Sequence, residues 1–171
     1  MATPLNEIKC FLLDMDGTIY LGDALLPGAL DFLDTVQKQG KQFLFLTNNS
    51  SKNPNQYVKK LAKLGIDVTV EQVFTSGMAT AIYLKQQKPD AKVYLVGTPG
   101  LEEEFRSHGF ILTDEDPDFV VLGFDTTLTY EKLWKICDFV REGKPYIATH
   151  PDNNCPTPTG FMPDIGAMIA L

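Results

Sequence analysis

Two aspartates separated by one residue are the side chains in this sequence with the clearest chemical potential. They lie in the run Asp14-Met15-Asp16-Gly17-Thr18, directly after an apolar stretch at residues 8–13 whose composition predicts a strand covered on both faces. If the chain stays extended there, positions two apart project to the same side, so Asp14, Asp16 and Thr18 are expected to converge. The carboxyl end of a strand in an α/β sheet is also where ligands bind.

Two carboxylates held this closely can share a hard cation, and Mg²⁺ suits a site that supplies few carboxylates and leaves room for water and phosphate oxygens. They can also serve two steps of phosphoryl transfer, with Asp14 attacking phosphorus and Asp16 protonating the leaving oxygen and then activating water. Gly17 permits a tight turn and a close backbone approach. The alternative interpretation is a polar junction between a strand and a turn, because Asp and Gly are common in turns.

A second polar run, Thr47-Asn48-Asn49-Ser50-Ser51, also follows an apolar stretch and precedes a helix signal. Its hydroxyls, amides and backbone N–H groups are suited to an oxyanion at the same sheet edge as Asp14. A string of this kind is often only a helix cap and turn. Its position after the second predicted strand, matching that of Asp14 after the first, favours the binding of a phosphoryl group.

The elements that must position these residues alternate between short apolar strands and amphipathic helices, which is typical of a parallel α/β architecture. Strands are predicted at residues 8–13, 43–46, 73–75, 93–96, 119–122 and 146–148. Helices are predicted behind Pro27, from the Asn53 cap to Gly65, and at residues 79–86, 101–107 and 130–141. A polar break at residues 88–92 is the candidate domain boundary.

Composition narrows the function classes. The 171 residues are 44% hydrophobic and 22% charged, and the net charge of −7 argues against a nucleic-acid partner. The apolar stretches are too short to span a membrane and the N-terminus lacks a signal-peptide pattern, so a cytoplasmic protein with no membrane partner is expected. The three cysteines lack metal-ligand spacing, and a reduced compartment fits them.

Further runs along the chain complete a specific set of motifs. The segment Phe11-Leu12-Leu13-Asp14-Met15-Asp16-Gly17-Thr18 resembles motif I of the haloacid dehalogenase (HAD) superfamily, and Leu46-Thr47-Asn48-Asn49 resembles its motif II. Residues 75–77, 93–97, 128–133 and 149–152 resemble the NagD-like subfamily IIA, which includes phosphatases of p-nitrophenyl phosphate, phosphoglycolate and pyridoxal phosphate. The likeness extends over essentially the whole chain.

The resemblance implies an α/β fold in which an incomplete HAD-like Rossmannoid core carries an inserted α/β cap of type C2. Residues 1–88 are then the first part of the core, residues 89–160 the cap, and residues 161–171 the start of a returning core segment. The implied substrate is a small phosphorylated metabolite. Pairing of two copies through the cap is a further implication.

The same resemblance assigns roles to individual residues. It implies that Asp14 is the nucleophile and Asp16 the general acid and base, with Mg²⁺ held by the carboxylate of Asp14 and the carbonyl of Asp16. Thr47, Asn48 and Asn49 would bind the phosphoryl group.

The loop at residues 149–156 would reach from the cap toward the substrate. Cys155 stands in the segment where the pyridoxal phosphate phosphatase branch has Trp-His-Pro, so a histidine contact of that branch is absent and pyridoxal phosphate is disfavoured as the substrate. His150 is interpreted as a loop residue.

Two parts of the family pattern have no counterpart in the sequence, namely the motif III lysine and the acidic Gly-Asp cluster of motif IV. Gly143-Lys144-Pro145 copies the motif III tripeptide but precedes the strand at residues 146–148, and it is interpreted as a turn. The sequence ends within an apolar helix begun near Asp164. We therefore expect a longer polypeptide, and we expect this chain alone to be nearly inactive and to expose an unpaired hydrophobic strand edge.

Other functions stay open on the same residues. The aspartyl chemistry can transfer phosphate to an acceptor other than water, so a phosphotransferase is one alternative. Asp16 argues against halide displacement, which has no leaving oxygen to protonate. A non-catalytic phosphate-binding protein is the remaining alternative, and it is disfavoured because a binder would gain nothing from two mutually repelling carboxylates.

Overall fold

Short strands and helices alternate along the part of the chain that the computed structural model describes, residues 5–171. The strands are β1 (Cys10–Asp14), β2 (Tyr20–Leu21), β3 (Ala24–Leu25), β4 (Gln42–Thr47), β5 (Val73–Thr75), β6 (Lys92–Val96), β7 (Ile111–Leu112), β8 (Phe119–Leu122), β9 (Tyr146–Ala148), β10 (Asn154–Thr157) and β11 (Gly160–Pro163). The helices are α1 (Ala29–Lys38), α2 (Pro54–Lys63), α3 (Ser76–Gln87), α4 (Pro99–Ser107), α5 (Tyr130–Arg141) and α6 (Ile165–Ile169). Single 3₁₀ turns lie at Leu5–Glu7 and Val70–Gln72.

Two parallel sheets organise these elements. The first sheet has the strand order β1-β4-β5, and the second sheet has the order β7-β6-β8-β9. Every pairing within these two sheets is parallel, whereas β2 with β3 and β10 with β11 form antiparallel hairpins. The predicted α/β class with parallel strands is therefore confirmed.

Each predicted strand and helix is present, with shifted ends. Helix α3 begins at Ser76 rather than at residue 79, because the Thr75 side chain caps it by accepting the backbone N–H of Met78. The predicted apolar helix near Asp164 is α6, whose N-cap is Asp164 itself. The two hairpins and β7 were not predicted, because strands of two to four residues are too short to show a hydrophobic period.

Strand β1 differs from the expectation that both of its faces are covered. Phe11 and Leu13 pack against the core formed with α1, α2 and β4, but Leu12 on the opposite face is 64% exposed. Within residues 5–171, β1 lies at the edge of the first sheet and pairs only with β4. The predicted unpaired hydrophobic edge is thus observed.

Helix α2 fixes the polar run that precedes it. Its N-cap Asn53 accepts the N–H of Gln56, and the Gln56 side chain accepts the N–H of Asn53, which forms a complete capping box. Tyr57 and Leu61 are fully buried one turn apart, so the helix is held against the first sheet. The segment between β4 and Asn53 is therefore held by the sheet at one end and by the helix cap at the other.

Helix α3 connects the two sheets. It begins directly after β5 of the first sheet, and its residues Ala81 and Leu84 pack with Leu101 and Phe105 of α4 in the core of the second sheet. At this junction the Thr75 hydroxyl lies 3.0 Å and 3.2 Å from the two carboxylate oxygens of Glu104. Glu104 is only 4% exposed, so an acidic side chain is enclosed between β5 and α4.

Burial raises the pKa of Glu104 from 4.5 to about 7, and the hydrogen bond from Thr75 opposes part of this change. Between these two pH values the folded chain binds more protons than the unfolded chain, so the free energy of unfolding falls as the pH rises through this window. Glu104→Gln keeps an oxygen for Thr75 without the charge. We expect it to stabilise the protein above about pH 7 by on the order of 2–3 kcal/mol.

Urea unfolding of the wild type and Glu104→Gln, at about pH 5 and about pH 8, measures this difference. The exposed neighbour Glu103, which accepts a hydrogen bond from Asn53, provides the matched control Glu103→Gln. A stabilisation by Glu104→Gln of the same size at both pH values would show that Glu104 is not the titrating group.

The division into residues 1–88, 89–160 and 161–171 stays a prediction, although the two sheets lie on either side of the polar break in the sequence.

The described helices include none with the length and apolar character required to cross a membrane. Cys10, Cys137 and Cys155 are all free thiols.

Candidate active site

Asp14 is the last residue of β1, and its exposed carboxylate Oδ2 accepts a hydrogen bond of 3.0 Å from the hydroxyl of Thr18. The chain beyond β1 is not extended as expected. The carbonyl of Met15 accepts the N–H groups of Thr18, Ile19 and Tyr20, and Gly17 adopts the left-handed conformation with φ 84°. This tight turn, made possible by glycine, is what returns Thr18 to Asp14.

Asp16 projects from the same turn into a more enclosed position. Its Oδ2 lies 3.5 Å from the hydroxyl of Tyr20, and its Oδ1 lies 4.0 Å from Nζ of Lys60. Burial raises the pKa of Asp16, the positive charges of Lys60 and Lys52 act against this, and the charge of Asp14 adds to the rise. A carboxyl with a raised pKa is suited to hold the proton that a general acid must donate.

Lys60 is a site residue that the sequence interpretation missed. It projects from α2, and its Nζ lies 3.8 Å from the centre of the Tyr20 ring, where a cation is attracted to the aromatic face. Burial lowers the pKa of Lys60, and the neighbouring charge of Asp16 opposes that change. The spacing alone gave a partial signal, since Lys60 stands three residues after the buried Tyr57 and so lies beside the inward face of the helix.

The polar run after β4 forms a compact loop in which the three predicted phosphate ligands differ. Thr47 is buried, and its Oγ1 accepts the N–H of Asn49 at 3.1 Å. The Asn49 side chain is used inside the loop, because its Oδ1 accepts both the N–H and the hydroxyl of Ser51. Asn48 is exposed, and its side-chain amide donates outward to Asp152.

Residues 149–153, which we call the connecting loop, bring groups from the second sheet to this polar run. The hydroxyls of Ser50 and Thr149 lie 2.9 Å apart, and Ser50 also accepts the N–H of Phe124. The hydroxyl of Thr98, at the start of α4, donates to the carbonyl of Ser51 at 2.7 Å. The loop that follows β4 is thus fixed by both sheets.

Two other residues singled out in the sequence have ionic partners other than Asp14 and Asp16. His150 is buried, with Nε2 3.0 Å from Oδ1 of Asp164 and its ring against Phe124. Lys144 makes an ion pair with the exposed Asp116, and Gly143 turns the chain with φ 81° after α5. The interpretation of residues 143–145 as a turn is confirmed.

The donor set of the site is that of a hard cation. Asp14 offers a carboxylate oxygen at the sheet edge and Asp16 a main-chain carbonyl oxygen beside its own carboxyl group, and Mg²⁺ accepts few protein ligands when water and phosphate complete its shell. Among residues 5–171, no cluster of three or more His, Cys, Asp or Glu side chains could hold a metal. By the chemistry of their oxygen donors, Asp14 and Asp16 can supply part of a divalent-metal site, and the identity of the ion as Mg²⁺ stays a prediction.

Comparison with known proteins identifies the family. A sequence model described as haloacid dehalogenase-like hydrolase matches residues 11–111, which include both aspartates and the loop after β4. The chain belongs to this family. Within it, the chain is similar to the NagD and p-nitrophenyl phosphatase proteins. A 4-nitrophenylphosphatase of Thermotoga maritima is 51% identical in sequence and superposes with a TM-score of 0.93. The superposition covers 97% of this chain and 64% of the Thermotoga chain.

Curated relatives in the family carry phosphatase names. A 5′-nucleotidase of Bacillus subtilis is 40% identical over 167 residues, and an acid sugar phosphatase of Staphylococcus aureus is 40% identical over 168 residues. Both alignments cover 98% of this chain and 65% of the relative, so the chain spans about two thirds of the relatives' length. These names imply phosphorylated small molecules as the substrates of those relatives.

One structural relative was crystallised with a divalent metal. The glycerol phosphate phosphatase of Mycobacterium tuberculosis, in complex with calcium, is 33% identical and superposes with a TM-score of 0.88 over 96% of this chain and 49% of its own. A divalent cation is thus compatible with the fold of the family. The metal that this chain uses, and the roles of its individual site residues, stay predictions.

Proposed function

We propose that the protein hydrolyses small phosphate monoesters through an aspartyl-phosphate intermediate, with Mg²⁺ as cofactor. The observation that carries this proposal is the register of the first sheet. Asp14 pairs with Leu46, the residue before Thr47, so the nucleophile and the phosphate loop leave neighbouring strands at the same edge. Membership of a family with phosphatase-named relatives supports the same reaction.

In this mechanism the Asp14 carboxylate attacks phosphorus while the bond from phosphorus to the leaving oxygen breaks. Thr18 holds the attacking carboxylate in place through its hydrogen bond. Asp16 gives its proton to the leaving oxygen, then takes a proton from the water that attacks the aspartyl phosphate. The Asp14 carboxylate and the Asp16 carbonyl would hold Mg²⁺, which would supply positive charge to balance the phosphoryl oxygens.

The loop after β4 would receive the phosphoryl group with the Thr47 hydroxyl, the Asn48 amide and backbone N–H groups, while Asn49 shapes the loop. Lys60 and Lys52 add positive charge beside Asp16, which offsets the negative net charge of the chain near an anionic substrate. We further propose that residues 1–88 and 161–171 belong to the core, that residues 89–160 form the cap, and that two copies pair through the cap.

Release of inorganic phosphate from p-nitrophenyl phosphate, measured for the whole protein with and without Mg²⁺, tests the proposal. We expect turnover that requires the metal and is lost on chelation. Transfer of phosphate to an added alcohol in place of water would instead indicate a phosphotransferase, and binding of phosphate without turnover would indicate a non-catalytic protein. We expect this chain alone to be nearly inactive in the same assay.

A further inference from the structure

The backbone and the side chain of Asn48 are held by different parts of the molecule. Its carbonyl accepts a hydrogen bond of 2.5 Å from the hydroxyl of Ser76, the first residue of α3. Its side-chain Nδ2 donates to Oδ2 of Asp152 in the connecting loop, 104 positions further along the chain. Two contacts that are remote from each other in sequence therefore converge on one exposed residue, one on its backbone and one on its side chain.

The chemistry of this second contact has a defined direction. An asparagine amide carries two N–H donors on one side and a carbonyl acceptor on the other, and it can present either side to a ligand. An ionised carboxylate only accepts hydrogen bonds. The contact with Asp152 therefore favours the rotamer of Asn48 whose NH₂ group, rather than its carbonyl oxygen, lies on the side of Asp152. An amide free to turn would present its carbonyl to a phosphoryl group part of the time, which opposes the binding of an oxyanion.

Asp152 is itself fixed well enough to act in this way. Its carbonyl accepts the N–H of Gly166 at 2.7 Å, at the start of α6. A Cβ on Gly166 would lie 2.4 Å from the carbonyl oxygen of Pro151 and 2.8 Å from the carbonyl carbon of Asp152, so only glycine permits this close approach. The hydroxyl contact between Thr149 and Ser50 holds the other end of the connecting loop.

We propose that Asp152 is a positioning residue for the phosphate site, acting through Asn48. It accepts one N–H of the Asn48 amide, which leaves the second N–H of the same nitrogen available to the phosphoryl oxygens. This inference rests on the proposed function, because it takes Asn48 as a phosphate ligand. It also assigns the connecting loop a role in binding the phosphoryl group itself, in addition to any contact with the rest of the substrate.

The test is the affinity of the whole protein for inorganic phosphate in the presence of Mg²⁺, measured by calorimetry. Asp152→Ala is expected to weaken binding about fivefold, the equivalent of one ordinary hydrogen bond. Asp152→Asn, whose carbonyl can accept the same bond, is expected to stay within about twofold of the wild type. Asp90→Ala removes an exposed aspartate before β6 with the same change in charge, and it should leave the affinity unchanged.

A double-mutant cycle shows whether Asp152 acts through Asn48. Asn48→Ala should weaken phosphate binding, and adding Asp152→Ala to it should cause no further loss. The side-chain amide resonances of Asn48 in the isotope-labelled whole protein should shift in Asp152→Ala and be retained in Asp152→Asn.

Four results would count against the inference or against the proposed function on which it rests. Equal or tighter phosphate binding by Asp152→Ala would overturn the inference, since the carboxylate would then act as a competing anion. Additive losses in the double mutant, or a loss in Asp152→Asn as large as in Asp152→Ala, would also overturn it. If Asn48→Ala leaves the affinity unchanged, it is instead the phosphate-binding role of Asn48 within the proposed function that fails.

Discussion

Asp14→Asn is expected to lower the rate of p-nitrophenyl phosphate hydrolysis by the whole protein by at least about a thousandfold. The amide keeps the size of the side chain, and it can still accept from Thr18, but it is not a nucleophile toward phosphorus. Because Asp14 is exposed at the end of β1, the substitution should leave the fold intact. The loss should therefore appear in kcat at an unchanged thermal unfolding midpoint.

Asp31→Asn is the matched control for this substitution. Asp31 is an exposed aspartate in the first turn of α1, so the same chemical change is made away from the sheet edge that carries Asp14. Acid-quenched wild-type enzyme should yield a phosphorylated peptide containing Asp14, and Asp14→Asn should yield none. Residual hydrolysis above one tenth of the wild-type rate would remove Asp14 from the role of nucleophile.

Asp16→Asn is expected to separate the two steps of the reaction. An alkyl phosphate needs a proton on its leaving oxygen, so its turnover should fall by at least about a hundredfold. The nitrophenolate of p-nitrophenyl phosphate leaves readily without that proton, so its release should continue through the first step. Loss of the base for the second step should then produce a burst of nitrophenolate followed by slow turnover.

Rapid mixing of a known concentration of enzyme with excess substrate measures this burst directly. An amplitude near one nitrophenolate per active site, accompanied by accumulation of phosphorylated Asp14, is the expected result. Equal losses of rate on both substrates with no burst would argue that Asp16 serves the site only by its charge or its backbone. Asp31→Asn is again the control, and it should show no burst beyond that of the wild type.

The elements themselves could be predicted from the sequence because their signals are local. The cap residue Asn53, the first-turn proline and the buried stripe of Tyr57 and Leu61 all lie within one helix length, and α2 forms where they indicate. The same holds for α6, which begins after its cap Asp164. Hairpins of a few residues escaped prediction, since their stability comes from pairing across a turn rather than from a periodic pattern.

The candidate site was predictable in part for the same reason. Asp14 and Thr47 each stand at the end of a strand, and parallel pairing of β1 with β4 brings the two strand ends together. The alternation of side chains along an extended strand did not predict the turn after Asp14. In that turn three backbone N–H groups converge on the carbonyl of Met15. Lys60 was missed because a lysine on a helix is ordinarily interpreted as solvent-exposed, and only the packing of α2 turns it toward Asp16.

The sequence alone determined which residue types stand at the ends of which strands, and hence the family, the fold class and the candidate chemistry of Asp14 and Asp16. Only the tertiary structure decided which groups surround them: Thr75 against Glu104, Ser50 against Thr149, and Asn48 against Asp152. These partners are 29, 99 and 104 positions apart in the chain. Backbone conformation and helix caps depend on neighbours within a few residues, whereas these contacts depend on how the two sheets pack, which no local pattern records.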